Sequence, residues 1–306
     1  MQISSSPHIN GPQTKNYIMG MVILALTPAM AASIYFFGTD ALLIILTAVI
    51  FSWITDILMQ KLTEQKQGLF NLSSILTGIL LALILPPTVP LWIPASGSFV
   101  AVSVGKYMFG IGNSIFNPAL LGRAFLVVSW PALMSDWIAP DGVTQATPLA
   151  KGVVENSQGL NLSLFLGDVG GCIGETSALA ILIGGIFLIA IKIIDWKIPA
   201  VYIGSFLLLT LISGGDPLFH LMAGGLLLGA FFMATDYVTT PLSSRGKIYF
   251  ALGCGLLTFL FRFHSSMPEG VMYSILLMNA LTPLIDKITI PKPFGYRKKN
   301  AVNQNN

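Results

Sequence analysis

The sequence predicts an all-α polytopic membrane protein with about ten transmembrane helices. Of its 306 residues, 54% are hydrophobic and only 9% are charged, and the mean hydropathy is +0.77. An ordinary soluble domain is about one quarter charged. Apolar runs near the roughly 20 residues that a helix needs to cross the hydrocarbon core recur along the chain. The bilayer must therefore form part of the solvent of this protein.

The first predicted span covers residues 18–37, is uncharged, and is expected to bend at Pro28. The polar segment before it holds one lysine, Lys15, and no cleavage pattern, which favours an uncleaved span over a signal peptide. Prolines make the bounds of the third to fifth spans the least defined. The other predicted spans are 41–59, 72–92, 97–116, 119–134, 169–191, 198–213, 217–235, 247–263 and 270–286.

Basic residues predict the orientation of these spans. Ten crossings place both termini on one side, and of the 16 Lys and Arg residues only Lys151 and Arg262 fall on the opposite side. Because cytoplasmic loops carry the excess of Lys and Arg, both termini are expected in the cytoplasm. The loop 135–168 is then extracytoplasmic.

Two pairs of similar segments predict two inverted five-helix repeats. "NSIFNPALLGR" (113–123) resembles "TDYVTTPLSSR" (235–245), and "SSILTGILLALIL" (73–85) resembles "ETSALAILIGGIF" (175–187). An odd number of spans in a repeat gives the two copies opposite topology. The alternative, that polar-Pro-Leu-Arg is a common pattern at helix ends, stays open. The predicted organisation is a first repeat (1–134), the extracytoplasmic loop (135–168), a second repeat (169–290) and a basic cytoplasmic tail (291–306).

The polar loop contains a candidate attachment site for a cofactor. In "DGVTQATPLA", Asp141, Thr144, Ala146 and Thr147 match the pattern D-x-x-(S/T)-x-A-T. This pattern resembles the acceptor site of bacterial flavin transferases, which move FMN from FAD onto the threonine hydroxyl through a phosphoester. Gln145 replaces the usual glycine. An ordinary turn is the structural alternative for Thr-Pro in a loop.

A second candidate site lies where the loop re-enters the membrane. In "GGCIGETS" (170–177) glycines are expected to break the helix, so that free amides at the helix start, with the Thr176 and Ser177 hydroxyls, can hold an anionic or carbonyl-bearing ligand. Glu175 and Thr176 are the cofactor-binding residues predicted here. Charges in hydrocarbon are costly, so ionisable residues in or beside the spans are functional candidates. They are Asp56, Lys106, Arg123, Glu175 and Asp236. Lys106 is expected to face protein or a cavity.

Several longer segments carry a family resemblance. "SSPHI" (5–9), "TGILLALILPP" (77–87), "FNPALLGRAF" (116–125), "ATPLA" (146–150) and "GETSALAILIGG" (174–185) resemble the D subunits of Rnf complexes. They resemble more distantly the B subunits of sodium-pumping NADH:quinone oxidoreductases. The resemblance implies covalent FMN at Thr147 and a second, non-covalent flavin, riboflavin, near the cytoplasmic side, whose site no motif marks. It also implies coupling of electron transfer from ferredoxin to NAD with Na⁺ or H⁺ translocation.

Absent motifs indicate that this chain needs partners. It has no P-loop and no G-x-G-x-x-G after a strand. Its two cysteines, Cys172 and Cys254, are too few for an iron–sulfur cluster and too far apart in sequence for a CxxC metal site. Iron–sulfur and flavin subunits, and a flavin transferase, are the expected partners; nucleic acid is not. Two other functions stay open, a channel or secondary solute carrier without a redox cofactor and a scaffold subunit without a cofactor.

Overall fold

A computed structural model describes residues 14–64, 71–110, 113–137, 160–167, 169–265 and 270–291. Every regular element in these ranges is helical, which confirms the all-α membrane fold. The α-helices are α1 (Lys15–Leu62), α2 (Leu72–Leu83), α3 (Trp92–Val102), α4 (Pro118–Ser129), α5 (Pro131–Met134), α6 (Leu160–Leu166), α7 (Ala178–Ala190), α8 (Lys197–Ile212), α9 (Pro217–Met222), α10 (Leu226–Leu228), α11 (Ser244–His264) and α12 (Gly270–Thr289). Two π-helical segments, Ser103–Met108 and Gly229–Met233, continue α3 and α10.

The first two predicted spans form the single long element α1. Its 48 residues stay helical through Pro28, and the one non-helical residue is Gly38, with φ 62° and ψ −137°. A residue with a side chain rarely adopts this left-handed region, so glycine allows the kink. The break therefore lies between the two predicted spans, where the sequence shows "FFGTD".

Small residues let the helices approach closely. Ala25, Ala29 and Ser33 lie on one face of the first half of α1 and are buried. A Cβ atom on Gly184 of α7 would overlap the carbonyl oxygen of Ala25. In a bilayer, van der Waals packing rather than transfer from water drives helix association, and small residues allow it. Glycine at position 184 is thus required by the contact between α1 and α7.

The segments predicted as the third and sixth spans, 72–92 and 169–191, are corrected by the structure. Helix α2 ends at Leu83 and helix α7 begins only at Ala178. Helices of 12 and 13 residues are about 18–20 Å long at 1.5 Å per residue. The hydrocarbon core is about 30 Å thick, so neither helix can cross it alone. Pro86 and Pro87 explain where α2 stops, because proline cannot continue the hydrogen-bond ladder of a helix.

The two short helices meet inside the protein. The Ile173 N–H donates to the Leu85 carbonyl (2.9 Å) and the Gly174 N–H donates to the Leu83 carbonyl (2.8 Å). The end of α2 leaves carbonyl groups without a helical partner, and the turn before α7 supplies partners for them. The Ser33 hydroxyl of α1 donates to the Ile173 carbonyl at 2.9 Å. We call this crossing of α2 and the 172–177 segment the helix junction.

The remaining predicted spans are mostly shorter or more broken than expected. The span 97–116 is helical from Trp92 to Met108, and 119–134 is divided into α4 and α5 at Trp130. The span 217–235 is divided at Gly224 and Gly225, which have φ values of 67° and 68°. Glycine suits such breaks because other residues are sterically strained at positive φ. Of these remaining spans, only 198–213, 247–263 and 270–286 agree with a single helix.

Arg262 closes the break between α9 and α10. Its guanidinium donates to the carbonyl oxygens of His220 (2.6 Å), Ala223 (2.9 Å) and Gly224 (2.9 Å). It also lies over the ring of Phe206, 5.0 Å from the ring centroid. Arg262 is one of the two basic residues predicted on the outer side. Its guanidinium satisfies backbone carbonyls at the end of α9.

Three described helices are long and apolar enough to cross a membrane: α1, α11 and α12. Helix α1 covers two predicted spans. Four further apolar helices, α2, α4, α7 and α8, have 10–17 residues. Many large apolar side chains point outward, such as Leu43 and Ile50 of α1, which is expected where lipid replaces water as the surrounding medium. The number of ten crossings stays a prediction.

Candidate functional site

The predicted flavin attachment site lies outside the described residues. This applies to all four positions of the loop pattern, Asp141, Thr144, Ala146 and Thr147. The described residues nearest to this loop in sequence are Trp137 before it and helix α6 after it. Helix α6 packs against α9, where Leu164 and Val169 contact Phe219 in a small apolar cluster. Helix α6 is thus packed against the second half of the chain.

The other two predicted site residues, Glu175 and Thr176, lie at the helix junction. The Glu175 carboxylate accepts a hydrogen bond from the Arg123 guanidinium of α4 at 3.3 Å, and both side chains are almost completely buried. A second nitrogen of Arg123 lies 3.3 Å from the sulfur of Cys172. Thr176 is 3% exposed. Whether Glu175 and Thr176 contact a cofactor stays a prediction.

The backbone amides at the junction are already engaged. The Glu175 N–H donates to the Cys172 carbonyl at 3.1 Å. Ser177 caps α7, because its hydroxyl accepts the Ala180 N–H at 3.3 Å. Together with the two bonds to α2, these contacts engage four of the backbone amides at the junction. The Glu175 carboxylate is balanced by Arg123. Binding of an anionic or carbonyl-bearing ligand here stays a prediction.

Gly225 fits closely against the ion pair. It has φ +68°, and a Cβ atom at this position would overlap the carboxylate of Glu175. The break before α10 therefore also provides the room that the Glu175 side chain occupies. A small cavity lined by Arg123, Glu175 and Gly225 lies here.

A larger cavity lies at the start of α4, away from this ion pair. Its volume is about 390 Å³, within the range of about 300–1,000 Å³ that small-molecule sites occupy. Both halves of the chain contribute to its wall. Its ionisable and amide-bearing lining residues are Lys15, Asp56, Asn71, Lys106, Asn117 and Asp236. We call it the polar cavity.

Both π-helical segments line the polar cavity. The first contributes Lys106 and Tyr107, and the second contributes Phe231 and Phe232. π-Helical turns inside α-helices are rare and occur frequently at functional sites. The expectation that Lys106 faces a cavity is confirmed.

Asp56 is fully compensated by hydrogen bonds. Its carboxylate accepts from the Tyr107 hydroxyl (3.0 Å), the Gln60 amide (2.7 Å) and the Asn71 amide (3.4 Å). Asn71 also caps α2. This buried carboxylate therefore ties α1, the start of α2 and the first π-helix together, and its burial is tolerated because its lone pairs are satisfied.

Lys106 is compensated less completely. Its ammonium donates to the Ser74 hydroxyl at 2.8 Å. Within the described ranges, no carboxylate lies within 4.0 Å of it, since the ion pairs found there are Arg123–Glu175 and Lys247–Asp195. An ammonium in apolar surroundings is costly without a partner. The polar cavity thus presents a positive charge that suits an electron-rich ligand group.

The segments proposed as sequence repeats occupy related places. Helices α2 and α7 are both capped half-helices that end or begin at the junction. Asn117 from the first "polar-Pro-Leu-Arg" segment and Asp236 from the second both line the polar cavity. Arg123 and Arg245 differ, however, because Arg123 is buried at the ion pair and Arg245 is exposed at the start of α11. The inverted repeat stays a prediction.

Broken helices that meet inside the molecule, with a polar cavity and a buried ion pair beside the breaks, define a polytopic membrane protein built on discontinuous helices, an arrangement in which transporters bind ions or substrates. The chain belongs to the NQR2, RnfD, RnfE family, whose model matches residues 2–295.

Curated relatives match over nearly the full length. The chain is 46% identical to the D subunit of the proton-translocating ferredoxin:NAD(+) oxidoreductase complex of Clostridium ljungdahlii, with 97% of this chain and 96% of the relative covered. It is 45% identical to the D subunit of the Na(+)-translocating ferredoxin:NAD(+) oxidoreductase complex of Acetobacterium woodii, with the same coverage. The D subunit of the ion-translocating oxidoreductase complex of Stutzerimonas stutzeri is 38% identical, with 91% of each chain covered.

Proposed function

We propose that this chain is a membrane subunit of an Rnf-type, redox-driven ion-translocating oxidoreductase. The observation that carries the proposal is the near full-length match to relatives named as D subunits of ferredoxin:NAD(+) oxidoreductase complexes. The broken helices and buried charges of the described residues are compatible with ion coupling. The chain acts as a translocase subunit and is not catalytic alone. Its partners include iron–sulfur and flavin subunits, because its two cysteines cannot hold a cluster.

Thr147 is the proposed attachment point for FMN. The Thr147 oxygen forms a phosphoester with the FMN half of FAD, AMP leaves, and the hydroxyl proton is released. A flavin transferase catalyses this reaction on the outer face of the membrane, where the basic-residue count places the loop. The support is the D-x-x-(S/T)-x-A-T pattern of Asp141, Thr144, Ala146 and Thr147.

The polar cavity is the proposed site of the second, non-covalent flavin, riboflavin. Its size suits one ring system, the buried rings of Phe231 and Phe232 offer apolar faces, and Lys106 offers a positive charge without a carboxylate partner in the described ranges. These residues fit a flavin, which is mostly apolar with polar atoms along one edge. A bound flavin would supply electron transfer, and a nearby cation tunes its electronics. The role of the chain is to bind the ring, orient it and exclude water.

The coupling ion stays open. The two relatives at 46% and 45% identity carry names that specify protons and Na⁺, respectively. Overall similarity therefore favours neither ion. Measurement of ferredoxin-driven transport with and without Na⁺, in the presence of a protonophore, distinguishes them: Na⁺ transport persists with the protonophore, whereas proton transport collapses.

Thr147→Ala tests the attachment site. The variant is expected to lose all covalent flavin, seen as a fluorescent band under ultraviolet light on a denaturing gel, while still inserting in the membrane. Thr144→Ala is the matched control and should keep at least part of the label; Thr147→Ser should be labelled partially, and Asp141→Ala should be labelled less. Full fluorescence in Thr147→Ala, or an unmodified 141–151 peptide made alongside an active flavin transferase, would contradict the proposal.

The competing function as a channel or solute carrier without a cofactor is tested by the same gel. The broken helices alone are compatible with it. A wild-type chain that carries no flavin in its native complex, and that transports an ion or solute without any other subunit, would favour the carrier. Purification within a complex that contains iron–sulfur proteins would favour the redox subunit.

A further inference from the structure

Asn279 of α12 connects the two halves of the wall of the polar cavity. It is fully buried, and it is not itself a lining residue. Its side-chain oxygen accepts the backbone N–H of Asn117 at 3.2 Å, and its amide nitrogen donates to the Thr239 carbonyl at 3.2 Å. One side chain therefore holds two backbone segments that are far apart in sequence.

The segment at Asn117 forms the first half of this wall. Asn117 caps α4 by accepting the N–H groups of Ala119 (3.1 Å) and Leu120 (3.4 Å). Its amide nitrogen donates to the carbonyl of Met233, the last residue of the second π-helix, at 3.1 Å. Asn117 is 3% exposed, so these bonds are shielded from water. A shift of its backbone would move both α4 and the second π-helix.

The segment at Thr239 forms the second half. The Thr239 hydroxyl donates to the Asp236 carboxylate at 3.2 Å, and Asp236 lines the cavity. The Thr239 carbonyl receives a second hydrogen bond, from the Thr282 hydroxyl of α12 at 3.0 Å. The Asn117 N–H, by contrast, has Asn279 as its partner. Loss of Asn279 thus leaves a buried donor unsatisfied at Asn117, whereas the Thr239 carbonyl keeps Thr282.

We propose that Asn279 is a positioning residue that sets the separation between the two halves of the polar-cavity wall and thereby controls the binding of the flavin in that cavity. This proposal rests on the proposed function for the identity of the ligand only; the positioning itself depends on the hydrogen bonds of Asn279. A buried amide suits this role because it offers a donor and an acceptor in one rigid plane. An apolar residue at this position would leave the buried Asn117 N–H without its acceptor.

The test uses the intact complex and two readouts. The first is retention of non-covalent flavin after extensive dialysis, measured by fluorescence of the extract. The second is followed in complex from which the non-covalent flavin has been removed, so that occupancy does not shield the site: Thr235, a cavity-lining residue that is 8% exposed, is replaced by cysteine, and its labelling rate with a water-soluble maleimide is followed by mass spectrometry. The native Cys172 and Cys254 are buried and report general unfolding in the same spectra.

Asn279→Ala is expected to raise the dissociation constant of the flavin about tenfold, because the wall would then hold its flavin-binding arrangement in only a fraction of the molecules. Labelling at position 235 should accelerate while Cys172 and Cys254 stay protected. Thr282→Val is the matched control. It removes a hydroxyl that can donate to the Thr239 or the Met278 carbonyl and leaves both hydrogen bonds of Asn279 in place, so both readouts should stay close to those of the wild type.

Unchanged flavin retention together with unchanged labelling in Asn279→Ala would overturn the proposal. Labelling of Cys172 and Cys254 at the same rate as position 235 would also overturn it, because Asn279 would then support the whole fold rather than this wall. A wild-type complex that holds no non-covalent flavin, with faster labelling in Asn279→Ala, would support the positioning role and contradict the proposed flavin site. The two proposals can therefore fail separately.

Discussion

The Arg123–Glu175 ion pair gives the sharpest prediction about stability. The two side chains are 4% and 9% exposed and lie 3.3 Å apart. Removing one partner of a buried pair leaves an uncompensated charge and costs about 3–5 kcal/mol. Glu175→Gln keeps the shape and an acceptor oxygen for Arg123, so a loss near the lower end, about 3 kcal/mol, is expected. Arg123→Met removes the cation and is expected to cost at least as much.

The double variant tests whether the single variants lose stability because one charge is left without its partner. Arg123→Met combined with Glu175→Met replaces both charges by apolar side chains of similar length, and buried ion pairs replaced in this way are often neutral in stability. We expect the double variant to lie within about 1 kcal/mol of the wild type, although each single variant is much less stable. The strong non-additivity is the signature of a compensated buried pair.

Reversible unfolding in mixed micelles with increasing dodecyl sulfate, followed by tryptophan fluorescence, measures these changes. The more exposed pair Lys247–Asp195, whose side chains are 26% and 27% exposed, is the matched control. Lys247→Ala should cost less than about 1 kcal/mol, as surface ion pairs do. If Glu175→Gln is neutral, or if the double variant loses the sum of the two single losses, the assignment of a compensated pair at the helix junction is wrong.

Three further predictions concern other parts of the chain. A reporter fused to the C-terminal end should be cytoplasmic, and an active alkaline phosphatase fusion there would reverse the orientation and the outer flavin site. Gly184→Ala should destabilise the protein by about 1–3 kcal/mol, because the new methyl group overlaps the Ala25 carbonyl. Gly204→Ala is the control and should be neutral or stabilising, because the space around Gly204 is open. Thermal unfolding of the two variants measures the difference. Burial alone would raise the pKa of the Asp195 carboxyl. Hydrogen bonds from the Lys197 backbone N–H and the Lys247 ammonium outweigh this effect and hold the pKa below its usual value. The ionised carboxylate therefore stabilises the fold above the unfolded-state pKa of about 3.9, and this stabilisation is lost as the pH falls through the lower folded-state pKa. In Asp195→Asn, the free energy of unfolding should lack this pH-dependent contribution when measured by acid titration.

The fold class followed from the sequence because composition and apolar run length determine the solvent of a chain. The break points followed less well. Hydropathy treats 72–92 and 169–191 as crossings, although Pro86 and Pro87 limit α2, and the pairing of Gly174 with Leu83 depends on contacts between distant segments. Hydropathy averages over about 20 residues and cannot distinguish one helix from a half-helix joined to a non-helical turn. The prolines and glycines inside the apolar runs were the available signal.

The sequence predicted which charged residues are functional candidates, but not which of them lie together in the structure. Asp56, Lys106, Arg123, Glu175 and Asp236 were each candidates because charge is costly in hydrocarbon, and the structure divides them between the polar cavity and the helix junction. Asn279 was missed, since a neutral amide in an apolar helix carries a weaker signal than a charge. Its partner Asn117 lies 162 residues away, so no local pattern could connect them.

Helix α4 connects the polar cavity to the helix junction. Asn117 caps its first turn at the polar cavity, and Arg123 six residues later reaches Glu175 at the helix junction. Six residues of α-helix rise about 9 Å. We expect a shift of the Asn117 end to be passed along this short helix to Arg123. Because Arg123 is buried, its ion pair has little solvent to compensate for a displacement, unlike an exposed pair. The spacing in "NPALLGR" sets the distance between Asn117 and Arg123 along α4. Asn117 is held by its capping hydrogen bonds and Arg123 by its ion pair with Glu175.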